Sequence, residues 1–212
     1  MMRAMVDQTH GFTLLSPGFA IHGADQIIEP AAALFAEKGF DGATMQELAD
    51  RAGVAKPTLY SYVQTKQRIL EAVFDRLLGE TEKSLAEAAD ELTGADRVRR
   101  VVRIFVRSSV QMRSYYTVYF GEQQSLDPPA RERVIERTRN VVATIRGYVT
   151  AAQADGEIAG DLDPVVVTFG ILSVAQSTGQ WLVPGGSLGW EDVADQFVRI
   201  FFDGLTRGCN AG

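Results

Sequence analysis

The sequence of 212 residues contains a single cysteine and no long apolar run. Because a disulfide needs two thiols, Cys209 alone excludes an intramolecular disulfide, and one cysteine is typical of a reducing, cytoplasmic compartment. No apolar stretch approaches the roughly 20 residues that span a bilayer. Ser16 and Pro17 interrupt the apolar segment 12–21, which makes a poor signal peptide. We therefore expect a cytoplasmic protein without a membrane partner.

Signatures of catalysis and of metal or cofactor binding are also missing. The sequence has no nucleophile elbow, zinc-protease helix, Walker loop or cysteine pair. His10 and His22 both precede the first recognisable motif, so neither metal nor acid–base chemistry has an evident centre. Residues 185–189 resemble a phosphate loop only superficially, because no strand precedes them. The sequence predicts no enzyme, no cofactor and no metal.

What the sequence does contain is a helical pattern from Ala24 onward, with 46% hydrophobic and 23% charged residues. Glycines and prolines divide the pattern, and we expect an all-α fold of about nine helices. Residues 1–23 form an N-terminal extension without a clear period. A small head over residues 24–70 and a larger body over residues 71–212 follow. Pro30 lies awkwardly in the first helix and predicts a kink or a late start there.

The head carries the local signals of two short helices joined by a tight turn. Thr44 and Glu47 are spaced as a capping box that starts one helix. Gly53 supplies the turn, and Pro57 stands near the start of the next helix, where proline is favoured. Gly39 can take the left-handed conformation that ends the helix before them. This arrangement predicts a three-helix head with a helix-turn-helix.

The head resembles the tetracycline-repressor (TetR) family over about 45 residues. The resemblance rests on ALFAEKGF at 33–40, TMQELA at 44–49, AGVAKPTLYSY at 52–62, and Thr65-Lys66. Val63 departs from the pattern, because an aromatic residue is expected there, and Gln67 replaces an acidic one. The resemblance implies double-stranded operator DNA as partner, with Tyr60 and Lys66 holding phosphates. The expected DNA-binding residues are Thr44, Lys56, Pro57, Thr58, Tyr60, Ser61, Tyr62 and Lys66.

The charge of the chain weighs against this expectation. The formal net charge is −6, and residues 24–66 hold four basic against six acidic residues. Nucleic-acid binding usually shows as a basic surface. Lys56 and Lys66 nevertheless flank the predicted reading helix, and the amide groups of helix N-termini also attract phosphate. Local placement therefore outweighs the net charge.

The body predicts a homodimer. The segment 163–182 begins with an Asp-Pro capping signal, is apolar nearly all round, and must be buried on two sides. Gly170, Ser173 and Ser177 form a small-residue stripe in it, and a final helix is expected over Trp190–Arg207. Two such helices from each subunit would form a four-helix bundle around a two-fold axis, as the resemblance also implies.

A set of aromatic and polar side chains in the body predicts a ligand cavity, with an ordinary packed core as the alternative. The body carries YFGEQQSL at 119–126, DGEI at 155–158, DLDP at 161–164, and Trp181 followed by PGG at 184–186 and EDVAD at 191–195. In these segments it resembles repressors of fatty-acid or steroid catabolism that respond to acyl-CoA thioesters. Arg99 or Arg100, together with Arg103 and Arg107, could meet coenzyme A phosphates, or could simply be a solvated stripe. The expected ligand residues are Phe105, Ser109, Met112, Tyr115, Tyr116, Tyr119, Gln123, Ile145, Tyr148, Phe169 and Gln176.

These observations predict a repressor that binds a palindromic operator as a dimer and is released by a small hydrophobic effector, with an acyl-CoA as first choice. Three alternatives remain open. The first is a multidrug-sensing repressor, and the second is a ligand-independent regulator or activator of the same fold. The third is a helical enzyme or carrier whose head no longer binds DNA.

Overall fold

The computed structural model describes residues 21–204, and within them the chain forms nine α-helices, one 3-10 turn and no strand. The all-α prediction is confirmed. Cys209, His10 and Arg207 lie outside the described residues, as does the extension before residue 21. The helices are α1 (Ile21–Gly42), α2 (Met45–Ala52), α3 (Lys56–Tyr62), α4 (Lys66–Glu91), α5 (Gly94–Gln111), α6 (Arg113–Gly121), α7 (Pro128–Ala154), α8 (Pro164–Trp181) and α9 (Trp190–Asp203), and the 3-10 turn is Gln123–Ser125.

The first helix differs from its prediction at one end and agrees at the other. It begins at Ile21 and runs through Pro30, so the expected late start is wrong. Ile27 and Ile28, in the turn before the proline, are 2% and 3% exposed, and their burial favours helix there despite the proline. Gly39 interrupts the helix with φ 74° and ψ 166°, as its predicted role requires.

The two C-terminal helices have clear end signals. Asp163 caps α8 by accepting a hydrogen bond of 2.7 Å from the amide of Val165, which confirms the Asp-Pro start. Helix α9 ends at Asp203 rather than at the predicted Arg207. Gly204 follows with φ 78°, a conformation that stops a helix and that other residues rarely adopt.

The described residues form two compact units. One comprises the described part of Met1–Gly79 together with Thr117–Val134, and the other comprises Glu80–Tyr116 with the described residues from Ile135 onward. The predicted boundary between residues 70 and 71 stays a prediction. Among the described helices, none combines the length and the apolar character needed to cross a membrane.

Each unit has its own apolar core. In the first, the fully buried side chains include Phe35, Leu48, Leu59 and Phe74, and Val63 is only 3% exposed, so the smaller residue still fills a core position. In the second, the core comes from the later part of α4 and from α5, α7, α8 and α9. Its buried residues include Val98, Val102, Phe105, Ile145, Val149, Ile171, Leu172 and Val193.

Candidate nucleic-acid interface and ligand cavity

Helix α2 starts with the capping box that the sequence predicts. The amide of Glu47 donates to Thr44 Oγ1 at 3.2 Å, and the amide of Thr44 donates to Glu47 Oε2 at 3.0 Å. Lys38 Nζ lies 2.5 Å from Glu47 Oε1. The hydrogen bond from Lys38, followed by those from Thr44, lowers the pKa of Glu47 from 4.5 to about 2. The carboxylate therefore stays charged and keeps the start of α2 fixed.

The turn between α2 and α3 is built on Gly53, which has φ 66° and ψ 30°. Its amide donates to Asp50 O at 3.2 Å, and the amide of Val54 donates to Ala49 O at 3.0 Å. Pro57 lies in the first turn of α3, and Leu59 is fully buried. Burial of Leu59 fixes which side of α3 faces the core, and hence which side faces outward.

The outward side of α3 carries six of the eight predicted DNA-binding residues, all except Thr44 and Lys66. Tyr60 and Tyr62 are 43% and 38% exposed. Both carry large aromatic rings, and a bound partner would cover part of their apolar surface. Ser61 Oγ donates to Thr58 O at 2.7 Å within the helix. The residues that share this exposed side are Lys56, Pro57, Thr58, Tyr60, Ser61 and Tyr62. This surface exposes hydroxyl groups, aromatic rings and one cation, which are the kinds of group expected to contact a groove of DNA.

Lys66 lies in a different environment from Lys56. Its ammonium group donates to Phe40 O at 2.6 Å and to Ala43 O at 2.8 Å, with Asp41 O at 3.5 Å. The same nitrogen lies 4.4 Å from the centre of the Phe40 ring. An ammonium group has three donors, so Lys66 ties the end of α1 to the start of α4. Its predicted phosphate contact stays a prediction, and the carbonyl contacts favour a structural role for Lys66 as the alternative.

The second unit contains a cavity of about 340 Å³ in which three of the predicted arginines meet. Arg103 pairs with Asp195 at 2.7 Å, and Arg107 donates to Gln111 at 2.9 Å and lies 5.9 Å from the Trp190 ring. Met112 and Ile104 add apolar wall. The charged lining residues are Lys83, Arg100, Arg103 and Arg107 against Glu80 and Glu87. The cavity thus combines a cationic excess with an indole ring.

Arg99 lies outside this lining. It pairs with Asp96 at 3.0 Å and lies 4.2 Å from the centre of the Phe202 ring. The sequence left the choice between Arg99 and Arg100 open, and the structure places Arg100 in the cavity wall.

The structure does not bring the predicted ligand residues together. Met112 lies in the cavity wall, whereas Phe105 and Ile145 are buried core residues. Ser109 Oγ donates to Val106 O and Ala175 O, and Tyr116 shares a 2.9 Å hydrogen bond with Ser108. Tyr115 and Gln176 are half-buried.

Four further predicted ligand residues are also dispersed. Tyr148 donates to Leu85 O at 3.1 Å, and burial raises the pKa of its phenol. Tyr119 packs on Phe74 in the first unit, where Gln123 begins the 3-10 turn. Phe169 is 52% exposed on α8. Helical spacing therefore identified packing positions at least as often as cavity positions.

Helix α8 has one buried and one exposed side within this chain. Ile171, Leu172 and Ala175 are buried, but Val166 and Phe169 are 69% and 52% exposed. We expected α8 to be buried on two sides, and within this single chain it is buried on one side. An apolar strip therefore faces outward.

Close helix approach occurs at a residue that the sequence analysis missed. A Cβ on Gly179 would lie 2.1 Å from the backbone oxygen of Ser109, so α5 and α8 touch where only glycine fits. A Cβ on Gly170, by contrast, would meet nothing within 4 Å. Gly179 comes two residues after Ser177, the last residue of the small-residue stripe. That proximity was the sequence signal that could have identified Gly179 as a close-packing position.

Known protein families match both the N-terminal and the C-terminal half of the chain. A family model described as bacterial regulatory proteins of the tetR family matches residues 27–73, and one for a tetracyclin repressor-like C-terminal domain matches residues 91–205. The transcriptional repressor KstR2 of Mycolicibacterium smegmatis is 27% identical over 191 residues, covering 86% of this chain and 90% of that protein. KstR2 of Rhodococcus jostii is 26% identical, covering 87% and 92%.

Two solved structures share the fold. AibR, solved in complex with isovaleryl coenzyme A and operator DNA, superposes with a TM-score of 0.75 at 25% identity, covering 84% of this chain and 97% of that one. The ketosteroid regulator KstR2 of Mycobacterium tuberculosis gives a TM-score of 0.79 at 22% identity, covering 87% and 95%. With both halves matched, this chain belongs to the TetR family of bacterial transcriptional regulators and is not an enzyme.

Proposed function

We propose that this protein is a transcriptional repressor that binds a palindromic operator as a homodimer and releases it when an acyl-CoA thioester binds the body. The exposed side of α3, with Lys56, Tyr60 and Tyr62 beside a buried Leu59, carries the DNA-binding part of the proposal. A recognition helix of this kind reads the major groove, and a dimer presents two of them to a palindrome. The relatives named as repressors support the same sense of regulation.

The outward apolar strip of α8 supports the dimer. A second copy that covers Val166 and Phe169 would remove large apolar groups from water, which is the main driving force for association. Ser173 is exposed on the same helix. Ser173→Glu would place a carboxylate without a partner in that interface and should produce monomers in sedimentation velocity. Thr150→Glu, on the exposed surface of α7, is the control. Equal dimer affinity of both variants and wild type would exclude α8 as the interface.

The cationic cavity supports an acyl-CoA as effector. Arginine forms charge-assisted, often bidentate hydrogen bonds with phosphate oxygens, and an indole ring offers a face for a planar base. Arg100, Arg107 and Trp190 supply these groups in the lining of the cavity. The coenzyme A that AibR holds in its solved structure is a molecule with these features.

Release follows from a difference in affinity between two states. An effector that prefers the geometry with low DNA affinity shifts the protein toward that geometry, and DNA weakens effector binding by the same factor. An effector that binds only the folded protein also raises its melting temperature.

The decisive experiment has two stages. Sequences selected from genomic DNA by the purified protein are first measured by fluorescence anisotropy. Acyl-CoAs of several lengths, free fatty acids and planar cationic drugs are then compared for operator release and melting shift. Arg100→Gln should weaken the thioester response, whereas Arg139→Gln, on the exposed surface of α7, should leave it unchanged.

Each result separates the candidates. Release by cationic drugs but by no thioester would make the protein a multidrug sensor. Operator binding that no effector class changes would favour a ligand-independent regulator. Absence of any selected sequence would refute the DNA-binding proposal itself.

A further inference from the structure

The interruption of α1 at Gly39 leaves a backbone amide that a distant residue satisfies. The N–H of Phe40 donates to Glu122 Oε1 at 3.0 Å, although the two residues are 82 positions apart in the sequence. Breaking a helix removes intrahelical partners from the groups beside the break, and such groups need other partners when they are partly buried. A carboxylate is a strong acceptor for this role.

The carboxylate of Glu122 is itself held in place. Ser125 Oγ donates to Glu122 Oε2 at 2.6 Å, and Gln67 Nε2 donates to Ser125 O at 3.1 Å. The amide of Glu122 donates to Val118 O at 2.8 Å, which attaches the residue to the last turn of α6. Glu122 therefore connects the end of α6 with the break in α1, and its side chain has little freedom to turn away.

The glycine at the break leaves room for this contact. Gly39 has φ 74°, and a Cβ there would lie 3.2 Å from Glu122 Oε1. A side chain at this position would be strained by the backbone and would also press on the carboxylate. The left-handed residue and the carboxylate thus fit one another.

The segment 40–43 is consequently held from both sides. Glu122 accepts from the amide of Phe40, while Lys66 donates to the carbonyls of Phe40 and Ala43. Ala43 is 2% exposed, and Thr44 directly after it caps α2. The direction in which α2 and α3 leave the break therefore depends on these bonds.

We propose that Glu122 is a positioning residue for operator binding, whose carboxylate fixes the break at Gly39–Phe40 and thereby the orientation of the reading helix. This inference rests on the proposed DNA-binding function, but it adds a residue outside the helix-turn-helix.

Three variants test the proposal. Glu122→Ala removes the acceptor and should lower operator affinity about tenfold or more, as loss of a hydrogen bond to a charged group does. Glu122→Gln keeps an oxygen for the amide of Phe40 and should retain most of the affinity. Ser125→Ala frees one oxygen of the carboxylate and should show a smaller loss. Glu132→Ala, at an exposed position of α7, is the control and should bind like wild type.

Hydrogen exchange provides a readout that does not need DNA. The amide of Phe40 should exchange at least about tenfold faster in Glu122→Ala than in wild type, while core amides of α5 keep their protection. Wild-type exchange at Phe40 together with normal operator affinity in Glu122→Ala would overturn the proposal. Equal losses in Glu122→Ala and Glu122→Gln would overturn it too, since acceptance by an oxygen would then be irrelevant.

The failure of this inference is distinguishable from failure of the proposed function. Should wild type bind no selected operator, the proposed function is refuted, and with it the role of Glu122 in operator binding. If wild type binds an operator and the Glu122 variants bind it with the same affinity, the proposed function stands and the positioning role of Glu122 is refuted.

Discussion

Lys56 is the first residue of α3, the proposed recognition helix, and Lys66 is the first residue of α4, which follows it. Their different surroundings predict different responses to the same substitution. Lys56 is exposed at the start of α3, whereas the ammonium of Lys66 contacts two carbonyls within 2.8 Å. Replacing either lysine by methionine removes the charge and keeps an unbranched side chain. Any difference between the variants therefore reports what each ammonium group contacts.

The expected magnitudes follow from the two environments. Each phosphate contact contributes about 0.9 to the slope of log affinity against log salt concentration, and a dimer has two heads, so Lys56→Met should reduce the slope by about 1.8. Lys66→Met should leave the slope unchanged. It should instead destabilise the head by about 1.5–3 kcal/mol, because a hydrogen bond to a charged donor contributes about that much. We do not count the two carbonyl bonds separately, since Lys66 is only half-buried.

The measurement is operator affinity by fluorescence anisotropy between about 50 and 300 mM salt, a range in which counterion release dominates. Hydrogen exchange of peptides from residues 27–63 reports the stability of the head. If Lys66→Met lowers the slope by about 1.8 and the head exchanges like wild type, Lys66 is a phosphate ligand and the structural role argued from its carbonyl contacts is refuted.

Two further predictions concern stability. Gly179→Ala should destabilise the body by about 2–3 kcal/mol in urea unfolding, because its Cβ would overlap Ser109. Gly147→Ala, with open space around it, is the control. A Gly179→Ala variant as stable as wild type would contradict the tight helix approach. Since the folded pKa of Glu47 lies below its ordinary value of 4.5, the stability from its ionised form is present above about pH 4.5 and is lost as the pH falls toward about 2. Acid unfolding of Glu47→Gln should therefore lack this part of the pH dependence, and an identical profile would exclude it.

The head could be predicted because its signals are local. The capping box at Thr44 and Glu47, the left-handed Gly53 and the first-turn Pro57 each act within three or four residues. Such short-range preferences operate before any tertiary contact forms. The sequence alone therefore determined the helix-turn-helix, whereas burial of Leu59 in the core decided which side of α3 stays exposed.

The residues that line the cavity could not be predicted in the same way, because the rotation of a helix about its axis depends on its neighbours. Ile104 lines the cavity, while the adjacent Phe105 is buried in the core. Both residues are apolar, so hydrophobic spacing does not distinguish them. The arginine spacing did identify the cavity wall, because charged groups are costly to bury and mark the outer side of α5.

The sequence by itself determined the all-α fold, the helix ends at capping residues and the family. Tertiary structure alone decided which groups meet across long separations, as for Phe40 and Glu122 or Gly179 and Ser109. It also turned Lys66 toward the carbonyls at the end of α1. These contacts depend on how helices pack after they have formed, and a single residue carries no local pattern that specifies its partner in space.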